Sequence, residues 1–322
     1  MRRIVCREFG PVDRLSIVEE PDPAPGPGEV VVGVEAVAVS FVDGLMVEGR
    51  YQVRPPLPWT PGSAVAGRVR AVGAGVHTAA VGDPVAVLSM AGGGFATDLV
   101  VRASALCPLP PGLAPDLAAT AIENYSTMSF ALTHRVRVEP GEWVLVLGAG
   151  GAIGLAAVDV ARAAGARVVA AASSAAKRAA AEAAGAEVVL DYTDLKDRVR
   201  EVTGGGADVV VDPVGGPLAE TALRSLTAHG RFCVLGFAGG EIPRLPANVV
   251  LLRNRSVIGV DWGDWARTQP DAATALVADV LGRVARSELR PPVPTRLPLD
   301  EAARALTLLA RREVVGKLAL VP

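Results

Sequence analysis

Four glycines packed into a short stretch, Gly148, Gly150, Gly151 and Gly154, are the clearest opening for chemistry in this 322-residue sequence. They follow the apolar run Val-Leu-Val-Leu at 144–147, which reads as a buried parallel strand. An alanine-rich helical stretch follows them. A turn without side chains lets backbone approach a ligand, and a helix that starts there points free N–H groups and its positive dipole end at an anion. That combination suits a dinucleotide pyrophosphate. The spacing departs from GxGxxG: in the register ending at Gly154 the first glycine is Ala149, whereas Gly148-x-x-Gly151-x-x-Gly154 is complete. An ordinary βα turn packed tightly is the competing reading, and the strand-turn-helix context weighs against it.

The next chemical signal comes about twenty residues on, where an acidic residue ordinarily binds a ribose hydroxyl. Here the sequence reads Ala171-Ala172-Ser173-Ser174, with no carboxylate until Glu182 and with Lys177 and Arg178 in between. Hydroxyls and cations suit a 2′-phosphate that a carboxylate would repel, so NADPH is expected over NADH. The alternative is that Lys177 and Arg178 are a solvated helix face. Metal chemistry is not indicated. Cys6, Cys107 and Cys233, and His77, His134 and His229, are scattered singly, without the spacing of a zinc site.

Elements must hold these residues in place. Half the residues are hydrophobic, a fifth are charged, and the formal net charge is −2. This describes a globular chain of about two domains and gives no reason to expect nucleic acid or an anionic membrane as partner. No run reaches the ~18 apolar residues of a spanning helix, and the N-terminus lacks an apolar signal region, so a cytoplasmic protein is expected. Residues 1–121 read as β-rich, with strands at Glu29–Val39, 66–72, Pro84–Leu88 and 96–101 separated by glycine turns. After a helical stretch at 116–133, strand and helix patterns alternate. Strands at 144–147, 167–172, 187–190, 208–212, 231–235 and 256–260 predict a doubly wound parallel sheet over 122–262. The tail, 263–322, carries helical stretches at 271–287 and 300–311. Its closing strand at 316–322 is expected to rejoin the N-terminal domain, which makes that domain discontinuous.

Longer stretches carry a family resemblance. Positions 49–63 (Gly-Arg-Tyr-Gln-Val-Arg-Pro-Pro-Leu-Pro-Trp-Thr-Pro-Gly-Ser), 81–85, 141–165, 208–216 and 230–263 resemble the zinc-independent quinone oxidoreductases of the medium-chain dehydrogenase/reductase superfamily along nearly the whole chain. The resemblance implies an α/β fold in which a Rossmann doubly wound parallel sheet stands beside a GroES-like β-rich catalytic domain. It implies hydride transfer from NADPH to quinones or other activated enones, and a homodimer. It places Gly148, Gly151, Ala152, Ile153 and Gly154 at the pyrophosphate, and Ser173, Lys177 and Tyr192 at the 2′-phosphate. Thr127, Gly236 and Phe237 fall near the nicotinamide, and Arg312 matches a cofactor-binding arginine.

Two departures fall on the substrate side. The family's Asn-x-x-Asp begins here with Ser40, ahead of Asp43, and the glutamate of Pro-Gly-x-Glu-x-x-Gly is Ala64. Tyr51 is the candidate hydroxyl for the acceptor carbonyl, assisted by Ser40 or water, and packing is its competing role. Two other functions fit the same residues: a reductase of enone, alkenal or acyl-CoA double bonds, and an NADPH-binding sensor or scaffold with weak catalysis.

Overall fold

The computed structural model describes Met1–Pro322, and the chain falls into two units. One comprises Met1–Glu123, Trp265–Arg286 and Pro292–Pro322, and the other Asn124–Asp264 and Ser287–Pro291.

The first unit is built on a seven-stranded sheet. Its long strand Glu29–Val39 pairs antiparallel with Ala64–Val72 along most of its length. On the other edge, the beginning of this strand pairs with Asp98–Arg102 and its end with Leu318–Val321. The chain's last strand thus joins the N-terminal sheet. Pairing separates two faces by the period of two. Val37, Val39, Val65, Val87, Leu318 and Leu320 share one face and enter a core with Phe95, Leu299 and Leu306. On the opposite face stand Ala36, Ala38, Ala64, Ala66, Ala86 and Ala319, all buried. A two-stranded hairpin, Arg2–Val5 with Ser16–Glu19, and a short helix, Phe41–Val47, complete the part near residue 40.

The second unit is a six-stranded, wholly parallel sheet. In spatial order its strands are Val188–Leu190, Arg167–Ala171, Trp143–Leu147, Ala207–Asp212, Leu226–Val234 and Ser256–Gly259. Every strand expected from the sequence is present. Numbered along the chain, the order is 3-2-1-4-5-6, which reverses beside Trp143–Leu147, where such sheets bind ligands at their carboxyl ends. The crossover helices include Ala152–Ala163, Ala175–Ala183, Leu195–Thr203 and Pro217–Ser225.

Two local features differ from expectation. The helix expected at 116–133 runs as an α-helix only over Pro115–Ser129 and widens to a π-turn at Phe130–Arg135. Residues Ser287–Pro291 return to the second unit because the fully buried Asp159 needs partners. Its carboxylate takes the Arg162 guanidinium at 2.6 Å and the Arg290 backbone N–H, while Arg162 also donates to the Glu288 carbonyl. No helix is long and apolar enough to cross a membrane.

Candidate functional site

The glycine turn sits at the carboxyl end of Trp143–Leu147, a strand buried throughout. Gly154 is dictated by packing. A Cβ there would lie 2.3 Å from the Gly148 carbonyl oxygen and 2.6 Å from the Ala149 Cα. Gly151 is different, since the nearest atom to its imagined Cβ is 3.5 Å away. The fold has room for a side chain at 151, so its absence is free to serve a ligand. Gly151 is also the N-cap of helix Ala152–Ala163 and offers no side-chain hydrogen bond to it. The first N–H groups of this helix, at Ala152 and Ile153, therefore stand without a side-chain cap, as a pyrophosphate site requires.

The second βα junction lies alongside. Ser174 caps helix Ala175–Ala183 by accepting the Lys177 backbone N–H at 3.3 Å, while the Ser173 side of the turn is exposed. The Lys177 side chain lies over the glycine turn, where a Cβ on Gly150 would come within 2.3 Å of its own Cβ. Arg178 instead donates to the Ala172 carbonyl at 3.0 Å, so the two cations of the sequence signal divide. Lys177 faces the turn, and Arg178 ties down the strand end. Tyr192 braces the turn. Its hydroxyl accepts the Gly148 N–H at 3.1 Å and donates to the Ala171 carbonyl at 3.3 Å.

The neighbouring strand ends supply a third group. The buried Asp212 carboxylate, pushed upward in pKa by burial, accepts the N–H groups of Val214 and Gly215 at 2.8 and 2.9 Å. The 236–240 loop is tied to the loop after Asp212 through Ala238 N–H to Pro213 O and Gly239 N–H to Val214 O. Gly236 is half-buried in it and Phe237 is exposed. Thr127 is half-buried on helix Pro115–Ser129 in the same unit.

The remaining candidates belong to the first unit. Arg312 is exposed in a left-handed turn after helix Ala302–Ala310, with φ 59°. Ser40 and Tyr51 flank the short helix Phe41–Val47, Ser40 as its N-cap and Tyr51 half-buried in the bend beyond it. Ser40 and Asp43 form a reciprocal cap. The Ser40 Oγ accepts the Val42 N–H at 3.2 Å, and Asp43 Oδ2 accepts the Ser40 N–H at 2.8 Å. The other Asp43 oxygen takes the Gly62 N–H at 3.0 Å and so holds the Pro-Gly turn to the helix. Burial, reinforced by repulsion from Glu123, raises the Asp43 carboxyl to about 7 despite these two N–H groups.

Two residues not identified from the sequence complete this cluster. The Ser40 hydroxyl donates to Glu123 Oε1 at 2.6 Å, and Lys317 Nζ lies 3.0 Å from Glu123 Oε2. The antiparallel pairing of Leu318 with Val39, continued by one residue, puts Lys317 opposite Ser40. Nothing in the sequence marks Glu123, one of two carboxylates on the mixed helix Pro115–Ser129, or Lys317. No group of three or more His, Cys, Asp or Glu side chains is placed to hold a metal ion, and the three cysteines are buried singly. These side chains do not fit a resident zinc.

Comparison with known proteins bears on both units. The family model for the alcohol dehydrogenase GroES-like domain matches residues 26–111, and that for zinc-binding dehydrogenases matches residues 152–279. The chain is 36% identical to the bovine quinone oxidoreductase-like protein 2, over 99% of this chain and 92% of that protein. It is similar in structure to the quinone oxidoreductase of Thermus thermophilus, also solved with NADPH, at 35% identity and a TM-score of 0.84. The Escherichia coli quinone oxidoreductase complexed with NADPH gives 27% identity and a TM-score of 0.90. Each structural match covers 100% of both chains.

Proposed function

The chain belongs to the quinone oxidoreductase-like family of the medium-chain dehydrogenase/reductase superfamily, and on that footing we propose that it transfers a hydride from NADPH to a quinone or a related activated enone. The observation that carries the cofactor half of this reading is the uncapped start of helix Ala152–Ala163, with Lys177 lying over the glycine turn. NADPH, when bound, supplies the hydride, and the protein supplies position and electrostatics.

In this reading the N–H groups of Ala152 and Ile153 hold the pyrophosphate, and Gly151, whose own N–H closes the turn on the Gly148 carbonyl at 3.0 Å, lets the backbone approach it, with Gly148 and Gly154 shaping the turn beneath. Ser173 and Lys177 bind the 2′-phosphate, a hydroxyl and a cation where a carboxylate would repel it. Tyr192 supports that contact by fixing the turn and the end of strand Arg167–Ala171 with one hydroxyl. Thr127, Gly236 and Phe237 serve the nicotinamide end, and Arg312 is a further cofactor contact. On the acceptor side the Tyr51 hydroxyl donates to the acceptor carbonyl and stabilises the charge that develops on its oxygen. Ser40 has a different role, because its hydroxyl proton is directed to Glu123.

The dimer expected of this family has a candidate surface. Strand Ser256–Gly259 is a sheet edge, with Leu251, Leu252 and Val257 exposed on and beside it. An open apolar edge of this kind is a pairing surface for a second copy.

Fluorescence titration with NADPH and NADH tests the cofactor assignment. The native protein should bind NADPH at least about tenfold tighter, and Lys177→Ala should remove most of that preference. Equal affinity for the two cofactors in the native protein would defeat the assignment. A panel of quinones, enones and enoyl thioesters with NADPH then separates a quinone reductase from a double-bond reductase.

A further inference from the structure

Glu123 and Lys317 have no part in the reading above, yet they form a largely buried ion pair whose carboxylate controls Ser40. A serine hydroxyl has one proton to give and two lone pairs. At Ser40 the proton goes to Glu123 and one lone pair takes the Val42 N–H. The Ser40 backbone N–H is spent as well, on Asp43. Residue 40 therefore has no donor left for a ligand and retains one acceptor lone pair. Lys317, an ammonium with donors only, secures the arrangement by binding the other Glu123 oxygen.

The topology shows how this carboxylate arrives. Ala38 pairs with Ala319, and the pairing of Val37 with Val65, continued by one residue, sets Ala38 opposite Ala64. Ser40 and Lys317 follow two residues further on, on the same face. The sheet position that carries a glutamate in the family pattern is thus a buried alanine here, and a carboxylate reaches the Ser40 end of that face from helix Pro115–Ser129.

We propose that Glu123 is a specificity-determining positioning residue. By taking the Ser40 proton it makes residue 40 a pure hydrogen-bond acceptor, which recognises the hydroxyl of a hydroquinone and offers nothing to a quinone carbonyl. The inference rests on the reading that the Ser40 end of this otherwise buried face lines the acceptor side. Two-electron reduction adds a hydride and a proton and turns a group that only accepts into one that donates. The same serine then distinguishes product from substrate.

The test uses 1,4-benzoquinone and its hydroquinone with the native protein, Glu123→Gln and Ser40→Ala. In Glu123→Gln the amide oxygen faces Lys317 and the amide N–H donates to Ser40, which releases the serine proton. The hydroquinone inhibition constant should rise about five- to tenfold, the quinone KM should fall by a similar factor, and the NADPH KM should not move. Ser40→Ala keeps the ion pair and removes the acceptor. It should raise the hydroquinone constant equally and leave the quinone KM alone, which keeps the inference testable if Glu123→Gln does not fold. An unchanged hydroquinone constant in both variants, or parallel weakening of quinone and hydroquinone, overturns the proposal. A native protein that oxidises no NADPH with quinones defeats the functional reading instead. Calorimetric titration of hydroquinone into the same proteins then judges the role of Glu123 without turnover.

Discussion

Adding one methyl group at Gly151 separates what the fold needs from what the ligand needs. Gly151 has φ −88° and ψ 169°, a conformation that alanine adopts freely, and the new Cβ would meet nothing closer than 3.5 Å. Gly151→Ala should therefore fold with native stability, within about 0.5 kcal/mol, as an unobstructed substitution does. Three positions along, Gly154→Ala forces a Cβ to within 2.3 Å of a backbone oxygen, and the turn must shift by more than 1 Å to restore the ordinary ~3.4 Å separation. Overpacking of this kind costs about 1–3 kcal/mol, and alanine's advantage over glycine in a helix returns at most about 1 kcal/mol. The expected net loss lies between about 0 and 3 kcal/mol. Thermal unfolding reads these stabilities, and NADPH fluorescence titration reads the site. Gly151→Ala should weaken NADPH by at least about tenfold, since the methyl stands where backbone must approach the pyrophosphate. A Gly151→Ala protein that is stable and binds NADPH as the native chain does would refute the placement of the cofactor on this turn.

Other expectations test separate parts of the account. Asp43 has a carboxyl raised to about 7 when folded against about 4 when unfolded, so between those values the native state holds more proton than the unfolded chain. Stability should fall as pH rises from about 4 to about 7, by at most about 1.4 kcal/mol per unit from this residue, and denaturant titrations of Asp43→Asn should lack that contribution. An identical pH slope in native protein and variant would contradict the burial argument. Tyr51→Phe should lower kcat by about ten- to a hundredfold with NADPH affinity unchanged, and unaltered turnover would remove Tyr51 from the mechanism. Val257→Lys, placed on the open strand edge, should shift the chain toward monomer in sedimentation if that edge pairs two copies.

How much could be read in advance depended on whether a signal was local. The inner strands of the second unit were readable because buried parallel strands are continuous apolar runs, and the exposed edge strand Ser256–Gly259 was readable from its β-branched Val257 and Ile258. The first unit gave up less. The hairpin Arg2–Val5 with Ser16–Glu19 and the helix Phe41–Val47 are short, and their stability comes from tertiary contacts rather than propensity. Ser40-Phe-Val-Asp43, the motif proposed to face the acceptor, also serves as a helix cap, and only the folded structure shows that the cap consumes the Ser40 N–H. The Glu123–Lys317 pair joins residues 194 positions apart, one on a helix and one set opposite Ser40 by strand register, and no local pattern encodes that meeting. Lys177 and Arg178 look alike in sequence, and it takes the Ala172 carbonyl to tell them apart.

The central claim is that this chain moves a hydride from NADPH to a quinone. Its most direct test is the loss of NADPH absorbance on adding 1,4-benzoquinone to purified protein, with NADH run in parallel. The account predicts enzyme-dependent oxidation of NADPH, one equivalent per quinone reduced, with NADH a much poorer donor. An absence of enzyme-dependent NADPH oxidation, or NADH consumed as readily as NADPH, would contradict it.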